Sequence, residues 1–216
     1  MIWKYLFETL GFITFASANT FAQDDWVLKT DKEGIKAYTK NLENSSLKVS
    51  KTVCVIDASL SRLTTVLMDI NTATDWVYST KKATLLKQLN PTELYYYSEV
   101  AVPWPASNRD FVVRMKVSQD EKTKAVSVVG ENKSTYLPTV KNIVRIQQSY
   151  TKWLMMPLQN GQVQIEYYLQ VDPGGIVPAW LINMFSTKGP FDTFKNLRLQ
   201  VKKDIYKKLS VPFIRD

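Results

Sequence analysis

The chain has 216 residues, 28 of them basic and 20 acidic, for a formal charge of +8 with no histidine to adjust it. At roughly 100–200 residues per domain this is one domain, with or without a short processed segment, and 45% hydrophobic against 22% charged residues excludes a disordered chain. The missing histidine excludes Ser-His-Asp and Cys-His nucleophiles, imidazole bases and His-ligated metals. Cys54, the single cysteine, excludes an internal disulfide, a thiolate cluster and a CxxC redox pair.

In chain order, Lys4 precedes a mostly apolar run to Ala18, broken by Glu8, with small residues at Ala16-Ser17-Ala18 and Thr20-Phe21-Ala22. A positive start, an apolar run and a small-residue site predict a secretory signal peptide over residues 1–22, leaving a mature domain of 23–216. The other reading is an amphipathic first helix. The charge-free stretch from Leu10 to Ala18 falls far short of the ~20 residues that span a bilayer. Asp24–Asp31, with Trp26 and Leu28, predicts a short leading helix. Ile35–Thr39 and Leu47–Ile56 alternate as neighbouring strands, and Asp57 or Ser59 can cap a helix to about Asn71 with Leu60, Leu63, Leu67 and Ile70 on one face. Asn71–Ser79 is a loop carrying Asp75-Trp76.

The period then becomes 2. Strands are predicted over Ala83–Leu89, Glu93–Val102, Arg109–Ser118, Ala125–Glu131, Ile143–Met156 and Gln162–Val171, an antiparallel meander. Asn160-Gly161 marks a hairpin before the last strand, whose Val163, Ile165, Tyr167, Leu169 and Val171 share a face. After Asp172-Pro173-Gly174-Gly175 a helical region with Trp180, Leu181, Met184 and Phe185 is interrupted by Gly189-Pro190. A long helix to about Leu209 follows, with Phe191, Phe194, Leu197, Val201, Ile205 and Leu209 as its apolar face. The expected class is α+β, a curved antiparallel sheet closed by a long C-terminal helix.

Three ordered blocks carry a resemblance. They are Ser98-Glu99-Val100-Ala101-Val102-Pro103-Trp104-Pro105-Ala106-Ser107-Asn108-Arg109-Asp110-Phe111-Val112, Val144-Arg145 with Trp153–Pro157, and Asp172-Pro173-Gly174-Gly175 through Asn183. Together they resemble the START (steroidogenic acute regulatory protein-related lipid transfer) domain, a helix-grip fold, and particularly its phosphatidylcholine-transfer branch, over roughly Asp24 to Leu209. The resemblance implies an internal hydrophobic cavity that shields one lipid from water. The physical reading agrees, since burying apolar area yields roughly 25 cal/mol per Å² without a covalent bond.

Candidate ligand contacts are Trp76, Tyr97, Glu99, Met115, Tyr167, Trp180 and Met184, each equally readable as core packing. Family members often place an acid and an arginine in the cavity, and Glu99 matches the acidic position. The arginine is displaced: Arg114 comes one residue early and Met115 takes the matching place. Because strand faces alternate, Arg114 then points to the opposite face unless a bulge restores it, which favours a neutral or hydroxylated lipid over a phosphate-bearing one. Trp104, Asn108, Arg109 and Asp110 read as structural, tying loop to strand.

On the last helix Lys195, Arg198, Lys202 and Lys203 make either a docking face for an anionic bilayer or a solvated polar face. No nucleic-acid partner, metal or cofactor is expected, and a monomer is. Three functions compete: a lipid-binding or lipid-transfer module, a polyketide cyclase/aromatase-like enzyme of the wider superfamily, and a ligand-sensing interaction protein. The leader and the absence of a lipid-anchor cysteine predict a periplasmic or secreted location.

Overall fold

The computed structural model describes residues 25–41, 48–175 and 178–216. The expected leader, residues 1–22, and Leu47 lie outside these.

Ten strands form one sheet: β1 (Val27–Lys32), β2 (Ile35–Asn41), β3 (Lys48–Ile56), β4 (Thr80–Asn90), β5 (Glu93–Val100), β6 (Arg109–Gln119), β7 (Val126–Asn132), β8 (Val144–Arg145), β9 (Gln148–Pro157) and β10 (Val163–Asp172). Their order is β1-β2-β3-β10-β9-β7-β6-β5-β4, with β8 beside β6. After β3 the chain crosses to the opposite edge through α1 (Leu60–Met68), a 3-10 turn (Ile70–Thr72) and α2 (Ala73–Trp76). It then meanders back until β10 pairs antiparallel with β3. Short links between successive strands make this antiparallel path the natural one.

The expected leading helix is instead strand β1. Glu33 and Gly34 both take positive φ, 52° and 67°, the backbone of a tight two-residue hairpin turn that folds Lys32 onto Ile35. Ser59 caps α1 as expected, accepting a hydrogen bond from the Arg62 amide at 3.3 Å. The helix stops at Met68, short of Asn71, and the expected loop after it contains the 3-10 turn and α2. The predicted strand over Ile143–Met156 is split. Val144–Arg145 pairs in parallel with Arg109–Asp110, and β9 starts afresh at Gln148.

After β10 one helical run joins α3 (Ala179–Asn183), a π-type turn (Met184–Lys188) and α4 (Gly189–Gln200). Gly189-Pro190 therefore does not interrupt it. The Gly189 amide reaches back five residues to the Met184 carbonyl, and this wider turn absorbs the missing Pro190 N–H. A Cβ at Gly189 would lie 2.7 Å from that carbonyl oxygen, so no larger residue fits unshifted. The run ends earlier than Leu209: α4 gives way after Gln200 to a short α5 (Asp204–Lys207). Phe194, Leu197 and Val201 are fully buried, but Ile205 and Leu209 are exposed. Tyr206 takes the inward place, donating to Asp69 Oδ2 at 2.7 Å and accepting from Gln200 Nε2 at 3.2 Å.

Two hydrophobic clusters result. The larger joins α1, the sheet's inner face and α4. The smaller joins Val100 and Val102 to Leu181 and Met184. Among the described residues no side chain fills the space between them.

Candidate functional site

The unfilled space is a cavity of about 190 Å³ between the sheet and the α3–α4 run. Alternation on paired strands decides which side chains reach it. On β6, Phe111, Val113 and Met115 face inward; on β5 their partners Ser98 and Tyr96 do the same. Trp153 comes from β9, Tyr167, Leu169 and Val171 from β10, and Trp76 from α2. Met184, Phe185, Gly189, Pro190 and Thr193 close the helical side. Among the described residues, the lining contains no charged side chain.

Trp76, Met115, Tyr167 and Met184 are thus brought together. Tyr97, Glu99 and Trp180 are not. Glu99 is paired with Asp110 across the β5–β6 ladder and faces the other side of the sheet. There Lys81 Nζ donates to it at 2.9 Å and Asn108 Nδ2 at 2.7 Å. Burial pushes the Glu99 carboxyl up, but the hydrogen bonds from Lys81 and Asn108 outweigh it and hold the group below the usual carboxylate range. Tyr97 shares that face: burial, with the Asp110 carboxylate beside it, pushes its hydroxyl up to about 12. Trp180 is 40% exposed on α3. No bulge interrupts β6 between Arg109 and Gln119, so Arg114 stays on the outer face, paired with Glu93, and Met115 stands in the cavity wall.

The charged and polar residues of the three sequence blocks converge away from the cavity, while Ser98, Phe111 and Trp153 of the same blocks line it. Asp110, fully buried, takes two hydrogen bonds from Arg145, at 2.7 and 3.1 Å. The same guanidinium donates to the carbonyls of Ser134, Leu137 and Pro138. Arg109, also buried, donates to the Ser107, Pro173 and Gly174 carbonyls. Asn108 accepts from the Val102 amide at 3.1 Å. These groups form a clamp that ties the β5–β6 loop, β8 and the turn after β10 into one end of the sheet. Trp104, at 91% exposure, stands outside it.

Of the basic residues on α4 and after it, Lys195 pairs with Glu33, Lys203 with Asp75, and Arg198 donates to the carbonyls of Glu33, Gly34 and Val55. Three of the four candidate docking charges are therefore engaged within the protein, Arg198 as a cap on exposed carbonyls. The Cys54 thiol is buried, which pushes it up to about 12 and makes it unreactive.

The residues the sequence left unassigned are Tyr96, Ser98, Phe111, Val113, Thr151 and Trp153. The signal was present in the hairpin register. Met115 inward on β6 fixes Asp110 and its partner Glu99 outward, and so Tyr96 and Ser98 inward.

A twisted antiparallel sheet wrapped round an apolar cavity and gripped by a C-terminal helical run defines a helix-grip protein. The START domain profile matches residues 14–204, and the chain belongs to the START domain family. It is similar to the STAR-related lipid transfer protein of Xanthomonas axonopodis, whose crystal structure superposes with a TM-score of 0.77 at 34% identity over 83% of this chain and 100% of that one. It is 29% identical over 196 residues to an uncharacterized protein of Pseudomonas aeruginosa, covering 90% of this chain and 95% of the relative. It is 28% identical to the mouse phosphatidylcholine transfer protein, covering 80% and 82% respectively.

Proposed function

We propose that the protein binds a lipid or other hydrophobic small molecule non-covalently in this cavity and carries it between membranes. The observation that carries the reading is an internal space lined mostly by apolar and aromatic side chains and, among the described residues, by no charge. Such a space is costly to leave empty and can take a hydrophobic guest at roughly 25 cal/mol per Å² of buried apolar area. Membership of the START family and likeness to lipid transfer proteins support it. Acid–base catalysis has little to work with. The titratable groups of the lining are phenols, and burial pushes Tyr96 up to about 12, far from the neutral range in which a general acid or base is effective. A monomeric carrier, exported by the segment 1–22 and touching bilayers transiently, completes the proposal.

Purification of the chain from its native compartment without detergent, followed by native mass spectrometry and solvent extraction, tests it. A stoichiometric bound lipid is expected. An empty protein that takes up nothing from vesicles overturns the reading. Delivery from donor to acceptor vesicles then separates a carrier from a ligand sensor.

A further inference from the structure

The cavity carries a polar feature that an apolar binding site does not require. Tyr96 of β5 and Tyr167 of β10 stand on strands separated by three others in the sheet, β9, β7 and β6. Its curvature brings them to one cavity, near enough that ionisation of Tyr96 would tighten the proton on Tyr167. Their rings are held on apolar neighbours: Tyr167 packs 4.5 Å from Trp153 and 5.9 Å from Phe194, and Tyr96 lies 6.4 Å from Phe111. Among the described residues neither hydroxyl makes a hydrogen bond, to the other or to any neighbour, and both residues line the cavity. On the same aromatic wall Trp76, 4% exposed and 6.4 Å from Trp153, has a buried indole N–H without a partner.

Unpaired polar groups at the bottom of an apolar pocket are costly unless something satisfies them. Burial keeps both phenols protonated, Tyr96 with its hydroxyl pushed up to about 12, so each offers an O–H donor and an acceptor oxygen. A phosphate or carboxylate would find donors here but no counter-charge, because Arg114 is on the opposite face and the lining holds no cation. A buried, unpaired anion is far costlier than a buried neutral oxygen.

We infer that the ligand is a neutral lipid, anchored by one hydroxyl or carbonyl oxygen placed between the hydroxyls of Tyr96 and Tyr167. This inference rests on the cavity-binding reading above and adds the headgroup chemistry.

The test uses three probes on the full chain. Diphenylhexatriene, a dye with no heteroatom, reports cavity occupancy by fluorescence. Dioleoylglycerol and dioleoylphosphatidylcholine, identical in their acyl chains, compete for it. On the wild type, dioleoylglycerol is expected to displace the dye at a concentration about tenfold or more below that of the phosphatidylcholine. Tyr96→Phe and Tyr167→Phe each weaken dioleoylglycerol by about fivefold to tenfold, leave the dye unchanged, and leave unliganded stability unchanged or raised, since no internal partner is lost. A merely structural tyrosine would lower stability instead. Equal competition by the two lipids, or undiminished dioleoylglycerol binding in the double variant, overturns the anchor while the cavity stands. Failure of the dye itself to bind overturns the cavity reading and the anchor together.

Discussion

Asp110 and Arg145 form a buried ion pair, and each is fully engaged: the carboxylate by two guanidinium donors, the guanidinium by three further carbonyls. Removing one partner of such a pair leaves the other charge buried without compensation. Asp110→Asn should cost about 3–5 kcal/mol in urea unfolding. Glu99 behaves differently. Its carboxyl is held below the usual range, so its contribution to stability is fully present above the unfolded pKa of about 4.3 and is lost as pH falls through the lower folded value. The melting temperature of the wild type should therefore fall more steeply below about pH 4.3 than that of Glu99→Gln. Because Glu99 faces away from the cavity, the same substitution should leave lipid uptake unchanged, whereas a cavity acid would not permit that. Residue type alone did not reveal this. β5 is half-buried or buried along its whole length on both faces, so its sequence, Glu-Leu-Tyr-Tyr-Tyr-Ser-Glu-Val, lacks the polar–apolar alternation that marks an outer face.

At the scale of elements, strands with one solvated face were legible from their period of 2, and the fate of Arg114 and Met115 followed from the same rule. Helical boundaries were not. The periodicity of Phe191 to Leu209 continues past Val201, but tertiary contacts end the apolar face there and give the next inward place to Tyr206, whose hydroxyl finds Asp69 and Gln200. Gly189-Pro190 reads as a break in a regular α-helix, because the wider turn that carries the helical run past it, with the Gly189 amide on the Met184 carbonyl, leaves no mark in the sequence pattern. That junction makes a prediction of its own. Gly189→Ala sets a Cβ 2.7 Å from the Met184 carbonyl oxygen and 3.2 Å from the Tyr78 ring, so the helical run must shift. A loss of about 1–3 kcal/mol in denaturant unfolding is expected, with faster escape of a preloaded dye, since Met184, Gly189 and Pro190 all line the cavity.

At the scale of the molecule, a net charge of +8 meets lipid surfaces that are commonly anionic. Uptake from anionic vesicles should slow as salt is raised from about 0.1 M to about 1 M, where the screening length falls from about 10 Å to about 3 Å. Uptake from zwitterionic vesicles should change little. With Lys195, Arg198 and Lys203 engaged internally, this dependence belongs to the whole surface, and neutralising those three should abolish only a minor part of it. The two hydrophobic clusters face each other across the cavity, so a lipid bound there should raise the melting temperature, and raise it further as lipid exceeds its dissociation constant.

The clamp formed by Asn108, Arg109, Asp110 and Arg145 has one more implication. The four clamp residues hold the frame together, and the residues that line the cavity, Ser98, Phe111 and Trp153 among them, stand at other positions of the same sequence blocks. Frame and cargo are thus written in different letters of the same words, and one can be edited without erasing the other. Met115 is the place to begin. Met115→Arg would put a cation into the wall opposite no acid, and the empty variant should melt at a lower temperature than the wild type. An anionic phospholipid should restore it selectively where a neutral one does not, a change of cargo made with a single letter.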